Sequence, residues 1–426
     1  MKLSARLAFF VVAVLFAAVE MRAQDTTAVR PRVVATANQQ QQQPVAPAVP
    51  QPNPAVAGPT LPVVSPVINV DKQKPASAPI TNLTPSLISA RIAEAQRMFK
   101  TRPKPTAMVP SIDFVTIAAL DKDTARTHFF TVSKESFLSR GASINAISSE
   151  GINVNINVIR ANGVNTALTI FTSDGKSLTP LTIEYPIERG GKYLETAYYT
   201  SAHPALLSPD LVRSGQSYVR NMLDLAAKRL REKGVPISPQ LVDVAERLCV
   251  VEHVDHERFR AENRLALYDE IYSLFALNET DTYRFSVSSA GAGGMVQMIP
   301  WAYNLIRTRH PGVGLNPDFV VGMRNHANAL QAMLLYMNDT WSDLAANEEV
   351  QNALSTKMAT TSELLAAAYN SNAAKLPAYL KRGGDGWRTL IPRETQMYLQ
   401  IYKSFEGLVP IQSRTTDTTG LKADLR

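Results

Sequence analysis

From residue 152 to 158 the chain alternates Ile-Asn-Val-Asn-Ile-Asn-Val. Alternation with a period of two sends successive side chains to opposite sides of an extended backbone, so this segment fits a sheet with one apolar and one wet face, not a helix. Asn162-Gly163 and Asp174-Gly175 follow at hairpin spacing, and both dipeptides tolerate the positive φ of tight turns. Strands are therefore expected over 152–160, 164–172 and 177–184, with earlier ones at 114–118 and 129–132. Residues 106–202 read as a small antiparallel β domain, a spacer or a binding module.

After His203-Pro204 the period lengthens. Leu211, Tyr218, Met222, Leu225, Ala226 and Leu230 suit a helix that ends near Gly234. Ser238-Pro239 opens another, with Leu241, Val242, Ala245, Leu248 and Val251 as its apolar positions. More helices are expected over 264–277, 298–308, 320–336 and 362–370, and after Pro392. The fold class is thus α+β and multidomain, with a mostly α domain over 203–410 and a Thr-rich tail, 411–426, expected to be disordered.

The N-terminal part differs in kind. Lys2 and Arg6 precede an apolar run over 7–19, and a small residue, Ala23, closes residues 1–23 as a secretory signal peptide. Such a signal implies an exported protein of the periplasm or cell envelope; an uncleaved N-terminal anchor is the plainer alternative. Residues 24–83, with an unbroken Gln39 to Gln43 run and many prolines, bury too little apolar surface to offset their ordering entropy. They are expected to form a disordered Pro/Gln-rich tether. Thr84 and Pro85 then start a short helix within 84–105, with Leu87, Ile88, Ile92, Ala95 and Phe99 on one face and Pro103 and Pro105 as its stop. Cys249 is the sole cysteine, which excludes an internal disulfide and suits a buried hydrophobe. A net charge of +7 comes with no basic stripe interleaved with aromatics, so nucleic acid is not an expected partner.

Three segments in order carry the functional signal. Residues 286–300 read Ser-Val-Ser-Ser-Ala-Gly-Ala-Gly-Gly-Met-Val-Gln-Met-Ile-Pro, a small-residue turn leading into a helix. Tyr369 and Asn370 end an Ala-Ala-Ala-Tyr-Asn run, and Pro392, Glu394, Thr395 and Tyr398 form a late element. A Glu upstream of a Gly-Ala-x-Gly-φ-φ-Gln turn, then Ala-Tyr-Asn, then Pro-x-Glu-Thr-x-x-Tyr, resembles the lysozyme-like lytic transglycosylases of the soluble murein type. The resemblance covers about 160 residues, from the Glu region to roughly Phe405. It implies a lysozyme-like fold for the α domain and cleavage of the β-1,4 bond between N-acetylmuramic acid and N-acetylglucosamine. One Glu would act as acid and then base, and the sugar's own C6 hydroxyl would close a 1,6-anhydro product. Peptidoglycan glycan strands are the implied partner, with cell-envelope proteins met through the β domain or tether, and no cofactor or metal is implied.

Carried onto this chain, the resemblance makes Ser289, Gly291, Ala292, Gly294, Gln297, Tyr369 and Asn370 substrate-binding residues. Amides suit sugar hydroxyls and acetamido groups because they donate and accept at once, and Tyr369 is a candidate to orient the acid. Two acids compete. Glu279 lies 18 residues before Gln297, the usual family spacing. Glu252, in Val-Glu-His-Val-Asp-His, requires an insertion before the turn, as in relatives whose turn follows an Asn-x-Gly-x-x-Tyr-Arg-Tyr stretch; Asn278, Tyr283, Arg284 and Phe285 look like that stretch. Glu252 is preferred. The family's Ser after the acid is replaced by His253 or Thr280, which permits a non-catalytic wall-binding scaffold as one alternative. Another is a lysozyme-like hydrolase of the same bond with Asp255 or Glu394 placing water. His253 and His256 lack the i, i+4 spacing of a zinc helix, so no metal site is expected.

Overall fold

The computed structural model describes residues 79–102 and 111–415. The signal segment, all but the last residues of the Pro/Gln-rich tether, Pro103, Pro105 and the tail beyond 415 lie outside the described residues. The described chain is a small antiparallel half-barrel sheet followed by a larger, mostly helical region.

A helix, α1 (Pro85–Thr101), comes first, and the Thr84 hydroxyl caps it by accepting from Leu87 N at 3.3 Å. Its Ile88, Ile92, Ala95 and Phe99 pack against sheet residues Phe129 and Leu181 and against Leu206 and Leu211. The strands are β1 (Phe114–Asp121), β2 (Arg126–Ser133), β3 (Ser143–Ile147), β4 (Asn153–Arg160), β5 (Ala167–Thr172), β6 (Ser177–Arg189) and β7 (Lys192–Tyr199), with a short helix, α2 (Lys134–Phe137), after β2. Their order is β2-β1-β6-β5-β4-β3, with β7 also paired to β6. The long β6 makes this branching work: β5 pairs its start and β7 its later part. Across the sheet, Ile144, Ile156, Ile170 and Leu178 align in register, and the last three are fully buried. One residue along each strand, Asn145, Asn155, Phe171 and Ser177 align on the opposite face. The alternation in β4 thus becomes a dry face and a wet one.

Two strands, β3 and β7, were not expected from the sequence. Both are mixed in polarity, and pairing with a neighbour decides them. Asn162-Gly163 does not make a two-residue hairpin turn. A 3-10 turn, Gly163–Asn165, lies between β4 and β5, and the Asn162 N–H donates to the Thr166 hydroxyl at 3.0 Å. Gly175, at φ +84, does turn the chain between β5 and β6.

The helical region comprises α3 (Pro209–Glu232), α4 (Pro239–Val251), α5 (His256–Ala261), α6 (Arg264–Asn278), α7 (Pro300–Arg309), α8 (Phe319–Met323), α9 (His326–Ala345), α10 (Glu348–Ser355), α11 (Thr361–Asn370), α12 (Leu376–Gly383) and α13 (Arg393–Leu408). α4 is the central helix: Ser238 caps it, and nearly every residue from Leu241 to Val251 is buried. Its two buried acids, Asp243 and Glu246, are the exceptions on a helix otherwise fit for the core. The expected 320–336 helix is instead two, α8 and α9, because Asn325 breaks the run and caps α9 by accepting from Asn328 N. Among the described residues no helix is long and apolar enough to cross a membrane.

Sheet and helices are joined at the end of α6. The Asn278 amide accepts from Thr200 N at 2.8 Å and donates to Thr200 O at 2.9 Å, replacing a strand partner at the end of β7. Arg160 of β4 pairs with Glu270 of α6 at 3.1 Å, and Leu274 of α6 packs into the sheet's core. At the other end, described chain continues past residue 410. Arg414 pairs with Asp224 of α3 and with Asp243 and Glu246 of α4, which fastens this segment to the central helix.

Candidate functional site

α4 ends at Val251, and the next residue, Glu252, is only 5% exposed. A carboxyl rarely sits that deep without partners. The hydroxyl of Tyr398, itself fully buried on α13, donates to Glu252 Oε1 at 2.6 Å. One turn earlier on α4, burial pushes the Cys249 thiol well up, with the Glu246 and Glu252 charges adding to it. Cys249 is a packed core residue.

His253 connects this helix end to the glycine turn. Its Nε2 donates to the Met295 carbonyl at 2.8 Å, and its ring stacks on Tyr283 with centroids 3.4 Å apart and planes within 1°. Tyr283 is held at φ +56, a conformation that L residues rarely adopt. The imidazole thus acts as a spacer that sets the distance between α4 and the turn. Among the described residues no group of three or more His, Cys, Asp or Glu side chains could hold a metal ion.

The turn over 286–298 is a compact loop held by its own backbone. Gly294 N donates to Ser286 O, Gly293 N to Met298 O, and Ser288 exchanges bonds with Ala292 through both backbone and hydroxyl. Gly291 (φ +76) and Gly294 (φ +67) take the left-handed region. Gly294 has a second reason to lack a side chain: a Cβ there would lie 2.3 Å from the Met323 carbonyl oxygen. Gln297 also has positive φ, at +46, and its Nε2 donates to Ser286 Oγ at 3.1 Å and to Gly294 O at 2.8 Å. Ala292 is buried, whereas Ser289 is exposed; Ser288 is the serine that closes the turn. Apolar side chains flank it in the open, with Val287 and Ile299 exposed and Trp301 65% exposed.

Tyr369 and Asn370 end α11 on the other side of the turn. The Tyr369 hydroxyl donates to Val296 O at 2.7 Å, and burial, with the Glu252 charge as a lesser cause, pushes it well above the usual phenol range. It therefore anchors the turn; the tyrosine that holds the carboxyl is Tyr398. That residue stands in the late Pro-x-Glu-Thr-x-x-Tyr element, so the signal for it was present in the sequence. Asn370 is half-buried, and its Oδ1 is a buried oxygen without a hydrogen-bond partner among the described residues.

Glu279 sits elsewhere. It is exposed, at φ +46, in the 3-10 turn Glu279–Asp281 that follows α6. Its neighbourhood is Tyr218, whose hydroxyl is raised by burial and then by the charges of Glu279 and Asp281. Asp255 is exposed and caps α5, accepting from the N–H groups of Glu257 and Arg258 at 2.9 Å. Glu394 is half-buried in the first turn of α13.

A cavity of about 390 Å³ lies between α3 and the C-terminal segment, lined by Arg220, Asp224, Arg231 and Arg414 among others. A much smaller one lies in the sheet beside Leu168, Thr182 and His203. Neither is lined by Glu252 or by the glycine turn. No protein-family model, curated protein or solved structure matches the chain.

Proposed function

We propose that the helical region is a peptidoglycan lytic transglycosylase with Glu252 as its acid and base. One observation carries this reading: a carboxyl buried at the end of the central helix, fixed by Tyr398 and joined through His253 to a glycine turn. An acid catalyst must still hold its proton when the leaving oxygen arrives, and removal from water favours the protonated form of a carboxyl. The Glu252 carboxyl, oriented by Tyr398, delivers that proton to the bridging oxygen. The resulting carboxylate takes the proton of the C6 hydroxyl as that oxygen closes on the anomeric carbon. Atoms balance without water, so the product is a 1,6-anhydro sugar.

Gln297 and Asn370 are the amides closest in sequence role to glycan contacts, and Asn370 Oδ1 has acceptor capacity to spare. The reading requires the 286–298 turn to part from α4 when glycan enters, because Glu252 is nearly closed off in the free protein. Asp255 is occupied as a helix cap, so a hydrolase would need Glu394 to place its water.

Digestion of purified sacculi, read by mass spectrometry, tests this. Wild type and Glu279→Gln should release anhydro-muropeptides, and Glu252→Gln should release almost none. Products heavier by one water would replace transglycosylation with hydrolysis. An inactive wild type that still binds sacculi would make the protein a wall-binding scaffold.

A further inference from the structure

The outer face of β3, β4 and β5 is an amide-rich surface with one aromatic ring at its centre. Asn145, Asn155, Phe171 and Ser177 form one row in register, and Ser143, Asn157 and Thr169 form the next. Asn145, Ser143 and Ser177 are exposed, Phe171 is 38% exposed, and Ile159 further along β4 is 57% exposed. Asn155 Nδ2 donates to Asn145 Oδ1 at 3.1 Å and to Ser143 Oγ at 2.8 Å, so the amides are set by one another and not left to rotate freely. At the usual spacing between strands the first row spans about 14 Å, the scale of several pyranose rings.

We infer that this face is a second glycan site, one that binds uncharged oligosaccharides bearing hydroxyl and acetamido groups. The face is complementary to such a ligand. The chain carries 44 Lys and Arg residues, yet none of the side chains in these two rows is ionisable, so nothing here meets an anion or a cation. An apolar partner would strip water from the amides and leave their remaining donors and acceptors without partners, which opposes binding. A sugar satisfies both parts: its hydroxyl and acetamido groups exchange hydrogen bonds with Asn145 and Asn157 and donate to Asn155 Oδ1, whose two amide protons are already used, and the C–H face of a ring lies on Phe171. The dry face behind, Ile144 to Leu178, packs the strands against their core, so the platform is formed before the ligand arrives. The inference stands on the sheet alone and is separate from whether Glu252 cleaves anything.

The test is calorimetric titration of the whole protein with the β-1,4 hexamer of N-acetylglucosamine, in a Glu252→Gln background so that no cleavage confuses the isotherm. Phe171→Ala and Asn155→Ala should each weaken binding by at least about tenfold. Phe171→Trp should keep it, and melting temperatures should stay within about 2 °C because these side chains face solvent. An affinity unchanged in the Phe171→Ala, Asn155→Ala double variant would place the sugar at the helical region and overturn the inference while sparing the proposed activity. No binding by the background protein would overturn it outright. Loss of affinity in the Phe171→Trp variant, at unchanged melting temperature, would also count against a stacking platform.

Discussion

Gly294→Ala is the substitution whose cost can be worked most directly from the structure. Two separate penalties apply. Gly294 has φ +67, where an L residue is disfavoured by roughly 1–2 kcal/mol. The new Cβ would also stand 2.3 Å from Met323 O and 3.1 Å from its carbonyl carbon. Those atoms are backbone at the end of α8, so no side-chain rotation relieves the clash, and overpacking of this kind costs about 1–3 kcal/mol. The sum is about 2–5 kcal/mol. Gly291 supplies the control. It has φ +76, but its nearest neighbour would be Pro300 Cδ at 3.9 Å, an ordinary contact, so only the first penalty applies. Urea denaturation followed by tryptophan fluorescence separates the two, because Trp301, Trp341 and Trp387 all lie in the helical region. Gly294→Ala should lose about 1–3 kcal/mol more than Gly291→Ala. Equal losses would show that the turn and α8 do not meet as described, and the joined geometry of the site would go with them.

Four further outcomes are expected. Tyr398→Phe removes the 2.6 Å hydrogen bond to Glu252 Oε1, and should lower anhydro-product formation by about 10- to 100-fold with a shifted pH–rate profile; an unchanged profile would mean that Tyr398 only packs. His326 is buried, with Nε2 donating to Thr282 O and Nδ1 accepting from Tyr218, and burial lowers its pKa to about 4. Because the folded value lies below the unfolded one, its contribution is complete above about pH 6.5 and is lost as pH falls toward 4, on the order of 3 kcal/mol in all. Urea midpoints at pH 7 and pH 4.5 should therefore differ less in His326→Gln than in wild type; equal differences would exclude His326 as the cause. Asn278→Ala should cost about 1–3 kcal/mol by orphaning both backbone groups of Thr200, and hydrogen exchange at Thr200 should rise with it. Arg414→Ala leaves the buried Asp243 without that cation and Glu246 with Arg220, and should cost about 1.5–3 kcal/mol by urea denaturation; a loss below about 0.5 kcal/mol would mean the C-terminal segment is not clamped to α4.

The β region was legible where polarity alternates cleanly, as in β4, and not where a strand owes its existence to a neighbour, as in β3 and β7. Helices α3, α4 and α6 follow their capping residues closely, since Ser208, Ser238 and Asn263 each accept a bond from the first turn. The break between α8 and α9 was missed because Asn325 reads equally well as a helix-face residue until its side chain is seen to cap. Within the site, sequence spacing alone could not separate Glu252 from Glu279. Tyr369 looked like the partner of the acid, because a tyrosine's place in a motif does not say which oxygen its hydroxyl reaches.

By itself, the order of residues determined the two-part architecture, since the hydrophobic period changes from two to nearly four near residue 203 and no chain can satisfy both in one element. It also marked the glycine positions, whose need for positive φ is local. Burial, and what lies within 3 Å of a carboxyl, are properties of contacts between residues far apart in the chain, 146 positions in the case of Glu252 and Tyr398. Only the packed chain decided that Glu252 is withdrawn from water and Glu279 is left in it, because desolvation depends on every neighbour in space and on none in particular along the sequence.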